Sequence, residues 1–219
     1  MRAPAPLSFP VAEAVPETAW HLDARTALYQ SVRRELEGRA LVGSDQFVYW
    51  DPTNPKKSLA PDLAVRRGAP GEPLGSWKTW ERGAPEVGVE IASESDAPAK
   101  ALAEKLERYR QAGIAEVVWF DVAGGPRLLR LWDLFDGDLV ERELAGAEDY
   151  RCDALRLYWR VHQDPTLGPT LRLARDAAGV DLVPTPAEAE RAAKEVERAA
   201  RQAAEARVAT LEAELANRR

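Results

Sequence analysis

The sequence predicts an α/β fold, a sheet-centred domain followed by a long C-terminal helix. Three stretches carry that expectation. The first is Val87 to Ala92, an apolar segment with the two-residue alternation of a strand. The second begins with a helical segment ending at Gly113 and continues into the apolar Val117-Val118-Trp119-Phe120. Strand, capped helix, glycine and apolar strand make a βαβ unit, which predicts two parallel strands joined by a right-handed crossover. The third starts after Pro184 and Pro186, where the composition turns to Ala, Glu and Arg without Gly or Pro. That composition is helical.

The 219 residues suffice for one well-buried core with an appendage. The organisation predicted is an extended lead-in over 1–17, a folded domain over 18–183 and a helix over 184–219. No apolar run approaches a membrane span, and the N-terminal residues lack the apolar centre of a signal peptide. Cys152 is the one cysteine, which excludes an internal disulfide and a cysteine-based zinc site and fits a reducing cytoplasm. His21 and His162 are far apart and form no local metal motif. A bound metal therefore has to be held by carboxylates, which favours Mg²⁺ or Mn²⁺. The formal net charge of -6 argues against a broad non-specific DNA footprint but allows a local basic surface.

In chain order, Asp23 to Glu37 carries Ala24, Ala27, Leu28, Val32 and Leu36 at helical spacing, with Gly38 as the stop. Phe47-Val48-Tyr49-Trp50 reads as a strand closed by the turn Asp51-Pro52-Thr53-Asn54-Pro55. Leu59 to Val65 reads as a second strand with Pro61 near its start. Arg66 to Pro85 is a long loop whose Trp77 and Trp80 argue for order. Val87 to Ala92 is the third strand. Ser95 or Asp96 can cap a helix over 97–112, with Pro98 in its first turn. Arg127 to Trp132 and Leu139 to Leu144 form a hairpin around Asp136-Gly137. Residues 155–159 and 171–173 read as short strands. The C-terminal helix has a thin apolar stripe (Val196, Ala200, Ala203, Val208, Leu211, Leu215), which suits a solvated helix or a weak coiled-coil contact between two copies.

The chemistry sits in and around the third strand. Glu90 lies between Val89 and Ile91, and a charge inside an apolar strand is costly to bury. Alternation puts Val87, Val89 and Ile91 on one face and Gly88, Glu90 and Ala92 on the other, with small neighbours leaving room beside the acid. If the strands of Asp62 and Glu90 are neighbours, both carboxylates and the Ile91 carbonyl can ligate one divalent ion. On the following helix, Leu102, Leu106 and Tyr109 form the core stripe. Lys105 lies about 60° off that stripe and Lys100 about 160°, so Lys105 is the lysine able to reach the acids. Two carboxylates, an ion and a lysine suit phosphodiester hydrolysis. Glu35 on the first helix is a candidate further acid for the ion or its water. Arg66, Arg67, Lys78 and Arg82, interleaved with Trp77 and Trp80, suit phosphate contact and base stacking; the plain alternative is a solvated loop whose tryptophans pack on the core.

The stretches Leu59-Ala60-Pro61-Asp62-Leu63, Val89-Glu90-Ile91-Ala92-Ser93 and Glu104-Lys105-Leu106-Glu107-Arg108-Tyr109, the last followed by Gly113-Ile114-Ala115-Glu116, carry a resemblance. Over roughly residues 18–145 the chain resembles the PD-(D/E)xK nuclease superfamily, and more narrowly the Uma-type restriction endonuclease family. The resemblance implies a restriction-endonuclease-like αβββαβ core with a mixed central sheet and a Mg²⁺-dependent activity. It departs from the superfamily at position 92, where Ala replaces the usual lysine. In the family the lysine comes from the next helix, which maps onto Lys105. Ser93-Glu94 stands where relatives often carry Ser-Pro.

Two function classes follow. One is a metal-dependent DNA endonuclease using Asp62, Glu90 and Lys105. The other is a catalytically weak or inactive DNA-binding or assembly protein on the same scaffold, with the C-terminal helix making a partner or homodimer contact. An enzyme of small phosphate compounds ranks lower, because no glycine-rich phosphate loop is present.

Overall fold

The computed structural model describes residues 7–9, 18–68, 75–92, 99–122 and 127–217. Most of the lead-in, Ser93, Glu94, the caps at Ser95 or Asp96, Pro98 and the side chain of Lys100 lie outside the described part. The chain divides into two compact units, Met1–Val183 and Pro184–Arg219.

The first helix, α1, spans Ala19–Glu35 and starts four residues before its apolar stripe suggests, because the Thr18 side chain accepts the His21 N–H as an N-cap. Ala24, Leu28 and Val32 are its buried line. Strands β1 (Ala40–Gly43), β2 (Val48–Tyr49), β3 (Ser58–Leu59), β4 (Leu63–Arg67) and β5 (Trp77–Lys78) follow, and then a single helical turn, α2 (Thr79–Arg82). Next come β6 (Val87–Ala92), α3 (Ala99–Ala112) and β7 (Glu116–Asp121). Gly113, at φ 72°, ends α3 in the left-handed conformation. Strands β6 and β7 are parallel, Val87 opposite Glu116 through Ala92 opposite Asp121. Strands β8 (Leu129–Phe135) and β9 (Asp138–Glu141) form the hairpin around Asp136-Gly137, both at positive φ as a type I′ turn requires.

The main sheet runs β1-β4-β6-β7-β8-β9 and is mixed: β6–β7 is parallel and the other four pairings are antiparallel. The alternation of β6 sorts the core into two layers. Val87, Val89 and Ile91 join Leu28 and Val32 of α1, and Leu36 just past its end, in one cluster. That cluster also takes Leu157, Trp159, Leu171 and Leu173 from β11 (Leu157–Asp164) and β12 (Gly168–Ala174). Those two strands form a sheet with β10 (Arg151–Cys152). The other cluster joins Ala92, Tyr109, Ile114, Val117, Trp119 and Trp132 to Val48, Leu59 and Trp77 of the small β3-β2-β5 sheet. The tip of the β11–β12 hairpin is fastened to α1, the Trp20 Nε1–H donating to the Leu167 carbonyl at 2.7 Å.

Two expectations change here. Leu59 to Val65 is not one strand: Ala60-Pro61-Asp62 carries the chain from β3 in the small sheet to β4 in the main sheet. Pro61 has no N–H to donate to a ladder, and its carbonyl instead accepts the Asp45 N–H at 2.9 Å. The stretch read as a long loop contains β5, and Trp77 is fully buried there because β5 pairs in parallel with β2.

In the second unit, α4 spans Pro186–Ala216. Thr185 and Glu188 form a capping box, and no residue of the helix is buried.

Candidate active site

Asp62 stands one step beyond the last β4–β6 partners, Leu63 and Val89. Continuing that register sets residue 62 opposite residue 90, and paired positions of an antiparallel ladder face the same side. With β4 begun only at Leu63, the Ile91 N–H lacks a strand partner on this edge. The Asp62 carboxylate takes that role, Oδ2 accepting the Ile91 N–H at 2.7 Å. The Asp62 backbone carbonyl is held in turn by the Ser44 hydroxyl at 2.8 Å. The N-terminal half of α1 reaches the same carboxylate: His21 Nε2 is 3.3 Å from Asp62 Oδ1 and Oδ2, and Arg25 Nε is 3.9 Å from Oδ1.

Glu90 is 6% exposed, on the α3 side of the sheet. Its two oxygens have different partners. Lys105 Nζ donates to Oε2 at 2.9 Å, and the Tyr109 hydroxyl donates to Oε1 at 2.7 Å. The Lys105 ammonium also lies 5.5 Å from the ring centre of Trp119, the β7 partner of Glu90. The Glu90 carboxyl is raised to about 7, chiefly by burial; Lys105 opposes the rise and the charge of Asp62 adds to it. Burial and the Glu90 charge raise Tyr109 well above the ordinary phenol value, which keeps it a donor.

The structure thus brings Asp62, Glu90, Ile91 and Lys105 together at one end of the β4–β6 pair. The donor set is all oxygen, with one buried acid whose charge is under-compensated, and that suits a hard divalent cation. Among the described residues no group of three His, Cys, Asp or Glu side chains is arranged to hold a metal. The groups available to an ion here would be two carboxylates and backbone oxygen.

Three expectations are corrected. Glu35 is not at this site. It lies 14 residues along α1 from His21, roughly 21 Å at the helical rise, and its carboxylate pairs with Arg175 at 2.6 Å. The space that Gly88 leaves beside Glu90 is not open to a ligand. The Tyr109 ring fills it, and a Cβ at Gly88 would stand 2.4 Å from Tyr109 Cε1. The basic loop is also less available than its composition suggests. Trp77 is buried with Nε1–H donating to the Gly83 carbonyl at 2.9 Å. The Arg66 and Arg67 guanidinium groups donate to the carbonyls of Ala84 and Ala154. Lys78, half-buried, pairs with Glu81 at 3.3 Å, while Trp80 and Arg82 are exposed.

The residues missed from sequence are His21, Arg25 and the hydroxyl of Tyr109. A signal for His21 was present: it continues the buried line Ala24-Leu28-Val32 back by one turn. Tyr109 read as a core aromatic because its ring is one.

The chain is thus an α/β domain with a mixed sheet that carries two acids beside a lysine at one strand end. The sequence model of the Uma2 family, described as "Putative restriction endonuclease", matches residues 11–129. The chain belongs to that family. A solved structure titled as a putative nuclease belonging to DUF820, from Anabaena variabilis ATCC 29413, is similar at 11% identity and a TM-score of 0.44. The similarity covers 69% of this chain and 75% of that one. No curated protein matches the chain. No helix among the described residues is long and apolar enough to cross a membrane.

Proposed function

We propose that this protein is a metal-dependent DNA endonuclease, with Asp62 and Glu90 holding Mg²⁺ or Mn²⁺ and Lys105 acting on the water or the phosphate. The observation that carries the reading is the Lys105 ammonium 2.9 Å from the buried Glu90 carboxylate, with Asp62 next to it across the strand pair. Within one strand residue the N–H and C=O leave on the same edge. The Ile91 carbonyl therefore leaves β6 toward Asp62, as a third oxygen for the ion. The ion, when bound, polarises the scissile phosphate and lowers the pKa of a water. Lys105 takes the place of the strand lysine missing at position 92, moving its charge between Glu90 and the phosphate oxygens that gain charge. His21 and Arg25 hold Asp62 in position. Arg82, Trp80 and Lys78 are the loop residues left to meet the DNA backbone and bases.

The test is cleavage of plasmid and single-stranded DNA with Mg²⁺ or Mn²⁺ by wild type, Asp62→Asn and Glu90→Gln. These substitutions keep an oxygen acceptor for Ile91 and a polar partner for Tyr109. A loss of about 1,000-fold is expected for each. Equal cleavage by all three proteins would remove the assignment.

A second reading is favoured by α4, whose Val208, Leu211 and Leu215 are exposed at helical spacing. On this reading the chain is a non-cleaving DNA-binding or assembly protein that forms a homodimer through α4. DNA binding without cleavage under either ion, with a dimer that becomes a monomer on removal of residues 187–219, supports it over the first.

A further inference from the structure

We propose that Tyr109 sets the ion preference of this site, by leaving Glu90 one exchangeable oxygen and so favouring Mg²⁺ and Mn²⁺ over Ca²⁺. The inference rests on the metal-site reading above. Its basis is the unequal treatment of the two Glu90 oxygens. Oε1 is held by a hydroxyl that cannot withdraw. Tyr109 is 1% exposed, and its ring is pressed into the notch at Gly88, two residues back on the same face of β6. Ile114 belongs to the same buried cluster as Tyr109, and Leu102 and Leu106 pack against that cluster. Oε2 is held by Lys105, whose side chain is 36% exposed. A cation would displace the ammonium more readily than the phenol, so Oε2 would be the oxygen more open to it.

That asymmetry matters differently to different ions. Ca²⁺ takes about 6–8 oxygens and readily accepts both oxygens of one carboxylate. Mg²⁺ demands a small octahedron, keeps several waters and is content with single oxygens from one or two carboxylates. A hydroxyl donating to Oε1 at 2.7 Å would compete with the ion for the second oxygen, which would cost Ca²⁺ more than Mg²⁺. Tyr109 is therefore a specificity-determining residue acting through Glu90.

The experiment uses the full chain without DNA. Bound Mn²⁺ is followed by electron paramagnetic resonance and displaced by Mg²⁺ or Ca²⁺ in wild type, Tyr109→Phe and Glu90→Gln. Tyr109→Phe keeps the ring in the Gly88 notch, and near-ultraviolet circular dichroism checks that it does. The expected result is a Mg²⁺-over-Ca²⁺ preference that falls by roughly tenfold in Tyr109→Phe, the scale of a hydrogen bond to a charged group. Gly88→Ala, which pushes the ring off its seat, is expected to shift the ratio the same way. An unchanged ratio in Tyr109→Phe overturns the role of Tyr109 and leaves the metal site standing. A wild type that binds no Mn²⁺, or binding undiminished in Glu90→Gln, overturns the site itself and the preference with it.

Discussion

Glu90 and Glu116 lie on adjacent parallel strands and are buried alike, at 6% and 5% exposure. Burial pushes both carboxyls above the ordinary range. Their surroundings differ. Glu116 accepts the Trp159 Nε1–H at 2.7 Å and Arg142 at 3.2 Å. That guanidinium is itself clamped by Asp133 and by the carbonyls of Asp149 and Arg151. Removing Arg142 leaves the buried Glu116 carboxylate without its cationic partner. Glu90 instead faces a half-exposed lysine and a second acid. The contrast shows that a buried strand carboxylate is not in itself a functional signal. What sets Glu90 apart is a partner that can be exchanged and a neighbouring acid that raises the demand for positive charge.

The comparison is tested most severely at Arg142. Arg142→Ala is expected to lower unfolding free energy by about 3–5 kcal/mol, the usual cost of orphaning a buried ion-pair partner, as read by urea denaturation. A loss below about 1 kcal/mol would make Glu116 no more locked than Glu90. The next effect is pH dependence. A carboxyl raised from 4.5 to about 7 binds more protons folded than unfolded. Its contribution is therefore greatest below pH 4.5 and is lost as pH rises through 7. Unfolding titrations are expected to show a fall on the order of 3 kcal/mol across that window, flattened in Glu90→Gln and by saturating Mg²⁺. Part of the slope remains in Glu90→Gln, because Glu116 is raised as well. The smallest effect on stability belongs to Lys105→Met, under about 1 kcal/mol at pH 7, since Glu90 takes up a proton in place of its partner. The same variant is expected to lose about 100-fold in cleavage, so that stability and activity separate at Glu90 but not at Glu116.

The parts legible in the sequence are those with local periodicity. The alternation of β6 puts Glu90 on the α3 face, the stripe of α3 brings Lys105 to its edge, and Asp136-Gly137 marks its hairpin. What escaped depends on contacts between distant segments. His21 meets Asp62 across 41 residues, and neither lies in a pattern that names the other. Trp77 stands among turn-forming residues, and its burial comes from a two-residue parallel pairing too short to leave a periodic trace. Gly88 read as open space because a small residue looks the same in sequence whether a ligand or a tyrosine ring fills the gap. Glu35 was placed by helix membership alone, and α1 is long enough for its two ends to serve different surroundings.

The Trp20–Leu167 hydrogen bond bears on where the working unit ends. Its acceptor lies beyond the segment matched by the family, 11–129, and its donor is next to His21. The hairpin that supplies it also roofs the α1-side core through Trp159, Leu171 and Leu173. A fragment trimmed to the matched segment would keep Asp62, Glu90 and Lys105 yet lose both the roof and the tether. The compact unit that carries these contacts extends through Val183, well past the matched segment.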